Sequence, residues 1–91
     1  MNITEDDITF KSGVGIYALE ESTNKSNTVR GLTKDEYNLL NIYKPKHIII
    51  KEANTDESFR RDIKSAVNIT GFMETGLGVE INDHKVVVFS W

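Results

Sequence analysis

In a protein of 91 residues without cysteine, chemistry has to come from imidazole, carboxylate, hydroxyl, ammonium or guanidinium groups. A thiolate nucleophile, a disulfide and a sulfur-ligated metal are excluded. The two imidazoles, His47 and His84, stand at the start of an apolar run and beside a turn. Neither lies in a pattern such as H-E-x-x-H, which sets two ligands on one helical face. Asp83 next to His84 has the composition of a base and its orienting carboxylate. Neighbours in a tight turn point apart, however, and no serine is placed for activation, so the pair reads as a solvated turn. The sequence assigns no metal, cofactor or catalytic residue. An enzyme using His47 or His84 with a carboxylate stays open as the third of three functional readings.

Basic residues offer the second. Arg60, Arg61 and Lys64 fall together, and Lys44, Lys46 and His47 form another basic spot. Guanidinium forks suit phosphate or carboxylate. Glu57, at i,i+4 from Arg61 and i,i+3 from Arg60, offsets part of that charge if the segment is helical. The strings Gly13-Val14-Gly15 and Gly76-Leu77-Gly78 lack the third glycine and immediate helix entry of a dinucleotide fingerprint. Acids concentrate at Glu5-Asp6-Asp7 and Glu20-Glu21, a spacing that could imitate nucleic-acid phosphates.

These residues need elements to hold them. Leu32-Thr33-Lys34-Asp35-Glu36-Tyr37 is a capping box with a hydrophobic staple, and Pro45 stops the helix it opens. A helix over 34–43 follows. A second helix is predicted over 56–69, with Asn54 or Thr55 as N-cap, Asp56 and Glu57 in its first turn, Phe59, Ile63, Ala66, Val67 and Thr70 as its apolar stripe, and Gly71 as its end. Strands are predicted over Val14–Glu20, His47–Glu52, Leu77–Ile81 and Lys85–Ser90, the last two joined by an Asn82-Asp83 hairpin turn. The resulting fold is a single α+β domain over 1–91, a βαβαββ two-layer sandwich. Its four-stranded mixed sheet has order 1-2-4-3 with both helices on one face, and an extra N-terminal strand is available from Ile3, Ile8 and Phe10.

That element order is similar to Alba-type chromatin proteins and to the C-terminal domain of translation initiation factor three, a likeness of topology that would imply nucleic-acid or ribosomal-RNA binding. No motif is matched residue by residue, so no functional position is carried over.

The continuous apolar runs Ile48–Ile50 and Val86–Phe89 predict central strands. Two helices cover one face only, so the reverse face is expected to carry an apolar strip that an N-terminal lid, a second copy or another protein must cover. Eleven Lys and Arg against 14 Asp and Glu give a net charge of −3, which disfavours a function resting on a basic field. No run is long enough for a membrane span, the first residues lack the basic start of a signal peptide, and the expected location is the cytoplasm.

The leading reading is a small acidic binding module. Asn, Ile and Lys supply 26 of 91 residues, a bias that suits an AT-rich phage or mobile-element accessory inhibiting a host protein by stoichiometric binding, with self-association as the other partner. Its anchors would be Trp91, Tyr17 and Phe72, because rings bury large area at low entropic cost, with Glu20 and Glu21 beside them. The polar stretch 21–31, expected as a long loop, adds Asn24, Lys25, Asn27 and Arg30 as contacts.

Overall fold

A computed structural model describes all residues, Met1–Trp91. Seven strands and three helices follow in the order β1 (Asn2–Ile3), β2 (Asp7–Ser12), α1 (Val14–Glu21), β3 (Asn27–Thr33), α2 (Lys34–Tyr43), β4 (His47–Glu52), β5 (Ser58–Asp62), β6 (Ser65–Asn68), α3 (Thr70–Leu77) and β7 (His84–Ser90). The class is α+β, as expected. There are two sheets, a mixed four-stranded one of order β1-β2-β4-β5 and a three-stranded one of order β3-β7-β6. In the first, β2 and β4 run parallel with Ile8 opposite Ile48 and Phe10 opposite Ile50. All pairs of the second are antiparallel.

Strand alternation sends one side chain in two toward a shared core. Ile8, Phe10, Ile48, Ile50 and Phe59 come from the four-stranded sheet, and Leu32, Val87 and Phe89 from the three-stranded one; Trp91, just past β7, joins them. The ring centroids of Phe10 and Phe89 lie 5.3 Å apart, and those of Phe59 and Trp91 5.9 Å. Tyr17 of α1 and Leu40 of α2 add to this core. The sheets also meet through the backbone. Between β5 and β6 the chain crosses from one to the other, the Ile63 amide donating to Lys46 O and the Lys64 amide to Ser90 O.

The capping box forms as read. Thr33 Oγ1 accepts from the Glu36 amide at 3.2 Å, and Glu36 Oε1 accepts from the Thr33 amide at 2.9 Å. The helix occupies Lys34–Tyr43, and Lys44 leaves it with a left-handed φ of 47° ahead of Pro45. The N-terminal strand is also present, as β1 and β2, and β4 and β7 are central as their unbroken apolar runs require.

Four elements differ from expectation. The segment 56–69 is not a helix but β5 and β6. Asn54 and Thr55 serve the β4–β5 turn: Asn54 takes a φ of 68° and Thr55 Oγ1 accepts from the Glu57 amide. The apolar spacing of Phe59, Ile63 and Ala66 comes from a strand that bends at 63–64 as it changes sheets, which shifts a period of two until it resembles 3.6. Val14–Glu20 is helical rather than extended, placing Tyr17 and Glu20, three residues apart, on one buried face. Leu77 ends α3, with Gly78 at φ 69° as its C-cap, so neither the third strand nor the Asn82-Asp83 hairpin exists. The loop 21–31 shrinks to a turn before β3, which occupies Asn27–Thr33. With the order changed, the likeness to Alba-type proteins and the initiation-factor domain does not hold.

Candidate functional site

Hydrogen-bond alternation decides which backbone groups remain free along β6, one edge of the three-stranded sheet. The Ile69 amide donates to Val86 O, and the register pairs Val67 with Val88 and Ala66 with Phe89. Alternate pairs in an antiparallel ladder are hydrogen-bonded, so Val67 is tied to β7 while the amides and carbonyls of Ala66 and Asn68 point to the free edge. All four residues of β6 are exposed. Its core-facing side opens on a groove of about 240 Å³ lined by Tyr37, Leu40, Lys44, Pro45, Ile63, Ala66, Asn68 and Val87, with Asn41. Asn68 Nδ2 donates to the Tyr37 hydroxyl at 3.2 Å, linking the two walls. Its Oδ1 accepts from the Thr70 amide and hydroxyl, which starts α3.

The outward side of the same sheet carries a row that crosses all three strands, Val29 opposite Val88 opposite Val67. Val29 is 54% exposed and Val67 51%. The next rows hold Gly31 with Val86, and Asn27 with Ser90 and Ser65, so the middle of this face has no charge. This row differs from the expected strip: Val88 of the second apolar run takes part, but the Ile48–Ile50 run lies in the other sheet, where Ile49 stands beside Arg60. The core-facing halves of the two apolar runs are covered by the opposing sheet rather than by helices.

The outward face of the four-stranded sheet is ionic. One row is Asp7, His47 and Asp62, and the next is Asn2, Thr9, Ile49 and Arg60. Arg60 Nε donates to Asp7 Oδ1 at 2.9 Å, and its Nη2 lies 3.0 Å from His47 Nδ1. His47 Nε2 is 3.3 Å from Asp62 Oδ1. His47 Nδ1 also lies 3.2 Å from Asp6 O, so a guanidinium donor and a carbonyl acceptor meet the same ring nitrogen, and the donor and acceptor roles follow the tautomer. The shallow depression here is lined by His47, Arg60, Arg61 and Asp62, a set without a nucleophile. His84 begins β7 on the other sheet, so the two imidazoles form no common site.

A polar cluster joins the sheets beneath. Ser12 Oγ donates to Glu20 Oε1 at 2.6 Å and accepts from Arg30 Nη2 at 2.7 Å. Lys25 Nζ pairs with Glu20 Oε2 at 3.2 Å. Arg30 also donates from Nε to Thr28 Oγ1 and from Nη1 to Lys11 O, with its guanidinium carbon 4.9 Å from the Phe10 ring centre. Burial lowers the Arg30 pKa from its ordinary value, and the nearby Glu20 carboxylate opposes that shift.

Several expected contact residues are placed elsewhere. Trp91 and Tyr17 belong to the core and Glu20 is fully buried, so these three are not surface anchors. Their aromatic and acidic types marked them as contacts, but the α1 turn turns Tyr17 and Glu20 inward. Arg60 and Arg61 do not share a helical face. They alternate on β5, with Arg61 directed to Glu21 O and over the Phe59 ring. Lys64 sits at the sheet crossing, while Lys44 and Lys46 flank Pro45, so the structure does not gather these five into one patch. Phe72, 80% exposed on α3, remains available, as do Glu21, Asn24 and Asn27. Lys25 is tied to Glu20 in the polar cluster, and Arg30 gives that cluster and its neighbours three of its five N–H groups. Burial raises the Tyr17 pKa above its usual 10.0, reinforced by Glu57, Glu21 and Glu52 and opposed by Arg61.

The β6 edge was missed because its segment reads as helix. The one available signal was the β-branched content of Ser65–Ile69, which suits strand over helix. No family model, curated protein or solved structure matches the chain, and no helix is long and apolar enough to cross a membrane.

Proposed function

We propose that this protein is a binding module that takes up an extended segment of another protein along β6, acting as a phage or mobile-element inhibitor that occupies a host protein by stoichiometric contact. One observation carries the reading: an edge strand with every residue exposed borders, on one side, a groove where Leu40, Pro45 and Ile63 stand beside Asn41, Lys44 and Asn68, and on the other a valine row. An added strand would hydrogen-bond to Ala66 and Asn68. Its alternate side chains would enter the groove beside Leu40, Pro45 and Ile63 or lie against Val67. Phe72, four residues after β6, supplies a large ring at the margin. The chain also exposes 5789 Å², against about 5,400 Å² for a compact monomer of its mass, which suits a protein that buries more surface on association.

Selection from a displayed library of random peptides tests this. Enriched peptides should alternate apolar residues, slow amide exchange at Ala66 and Asn68, and lose binding to the Ala66→Pro variant. That substitution removes an outward amide without touching the β6–β7 ladder. A library that yields no binder, or binders indifferent to both Ala66→Pro and Val67→Lys, would defeat the proposal.

A further inference from the structure

Lys11 and Lys51 are register partners on neighbouring strands β2 and β4, so their ammonium groups leave the same face of the four-stranded sheet. Like charges placed opposite one another destabilise a sheet. The ion pairs of the molecule join Lys25 to Glu20, Arg60 to Asp7, and His47 to Asp7 and Asp62. None relieves Lys11 or Lys51. Both line a concavity of about 450 Å³ with Arg30, Thr9, Asn2, Met1 and Phe10. Three cationic side chains thus surround a space without a carboxylate, in a chain whose acids outnumber its bases by 14 to 11. Asp7, on the same face, is engaged by Arg60.

Arg30 makes this more than a pair of surface lysines. Its guanidinium is held by hydrogen bonds to Thr28 Oγ1, Lys11 O and Ser12 Oγ, against the Phe10 ring. A guanidinium has five N–H groups, so one on each terminal nitrogen stays free. The fork is ordered before any ligand arrives, which lowers the entropic cost of binding.

We propose that Lys11, Lys51 and Arg30 form a binding site for the phosphate groups of a small soluble ligand, a diphosphate or a nucleoside diphosphate. The paired lysines neutralise the phosphate oxygens, the Arg30 fork donates two directed hydrogen bonds, and the Thr9 hydroxyl and Asn2 amide add neutral donors. A concavity of this size falls in the range of small-ligand sites. Arg30 comes from β3 of the sheet that also holds β6, whereas Lys11 and Lys51 come from the four-stranded sheet; no residue of this concavity lines the groove beside β6, so the site does not depend on that edge.

The test is a titration of the full chain with inorganic pyrophosphate and, separately, with adenosine diphosphate at low ionic strength, followed by amide chemical shifts. Saturable shifts should centre on residues 9–11, 30 and 51. Tighter binding of the nucleotide than of pyrophosphate would assign the ligand to the nucleoside class, and equal binding would assign it to the bare diphosphate. Lys51→Gln should weaken either by about tenfold, as expected for one charge-assisted contact, and Lys11→Gln/Lys51→Gln should abolish saturation. Both lysines are exposed, and the melting temperature of each variant should stay the same or rise. Absent or non-saturating shifts, shifts centred on Arg60 and Arg61, or affinity unchanged in the double variant would overturn the assignment. So would failure of both small ligands alongside binding of single-stranded DNA across the same lysines.

Discussion

The two sheets turn opposite chemistries outward. On the three-stranded sheet the row Val29, Val88 and Val67 is flanked by Gly31, Val86 and small polar residues. On the four-stranded sheet the corresponding positions are Asp7, His47 and Asp62, then Arg60, then Lys11 and Lys51. Inward, the two are alike, since both send Ile, Val or Phe into one core. Core packing therefore does not account for the difference. An antiparallel or mixed sheet can leave one face wet if that face is polar, and the outward face of the four-stranded sheet is polar. An uncharged valine row beside a free edge invites a neighbour instead. The two proposals rest on this difference, directed polar recognition on one face and strand addition on the other.

Because both faces stand on one core, the largest effect comes from breaking it. Phe89, fully buried against Phe10, should cost about 3–5 kcal/mol on replacement by Ala, a large part of the roughly 5–14 kcal/mol that 0.05–0.15 kcal/mol per residue allows a chain of this length. Urea unfolding of Phe89→Ala should show both faces lost in a single transition. Two separated transitions would mean that the sheets are independent units. The next effect separates the faces. Ser12→Ala removes the hydroxyl between Glu20 and Arg30 and should cost about 1.5–3 kcal/mol, the range for hydrogen bonds to charged groups. It should also loosen the Arg30 fork. Pyrophosphate affinity should fall in this variant while peptide binding at β6 holds, provided both are measured well below its melting temperature. Equal loss of the two would refute the separation.

Much of this contrast was hidden in the sequence for a physical reason. Where one local signal agreed with its surroundings, as in the Thr33–Glu36 box ending at Pro45, the element and its limits were legible. The runs at Ile48 and Val86 likewise marked central strands. The segment 56–69 was not legible, because a strand that bends between two sheets at Ile63-Lys64 presents its core side chains at irregular spacing. Val14–Glu21 carries β-branched and aromatic residues on a short helix that sends Tyr17 into the core and pairs its buried Glu20 with Ser12 and Lys25. The pairing of Lys11 with Lys51 is a register fact. Forty residues separate them, and only the parallel β2–β4 ladder brings them together. The convergence of Ser12, Glu20 and Arg30 has the same origin, since each belongs to a different element.

Smaller effects sharpen the comparison. Thr33→Ala removes the N-cap of α2 and should cost about 1 kcal/mol. Since α2 supplies Tyr37 and Leu40 to the groove, peptide affinity should weaken in this variant and pyrophosphate affinity should not. Tyr17 adds a pH signature. Its pKa is raised in the fold, so the folded state holds the phenolic proton longer than the unfolded chain does. Stability is unaffected below pH 10 and declines as pH rises from 10 through the folded value. Urea midpoints followed across that range should fall in the parent chain more than in Tyr17→Phe.

The smallest expected effect bears most directly on the ionic face. If Lys11 and Lys51 oppose each other without a ligand, replacing one with Gln removes a repulsion and no favourable contact. Stability should then rise, by no more than roughly 0.5 kcal/mol because solvent screens exposed pairs. The gain should shrink as salt is added, since screening already weakens the repulsion in the parent chain. Val29→Gln, in the middle of the uncharged face, should shift stability by a similarly small amount with no dependence on salt. A destabilised Lys11→Gln would mean that this lysine has a favourable partner in the folded chain and that no unrelieved charge is there to draw an anion.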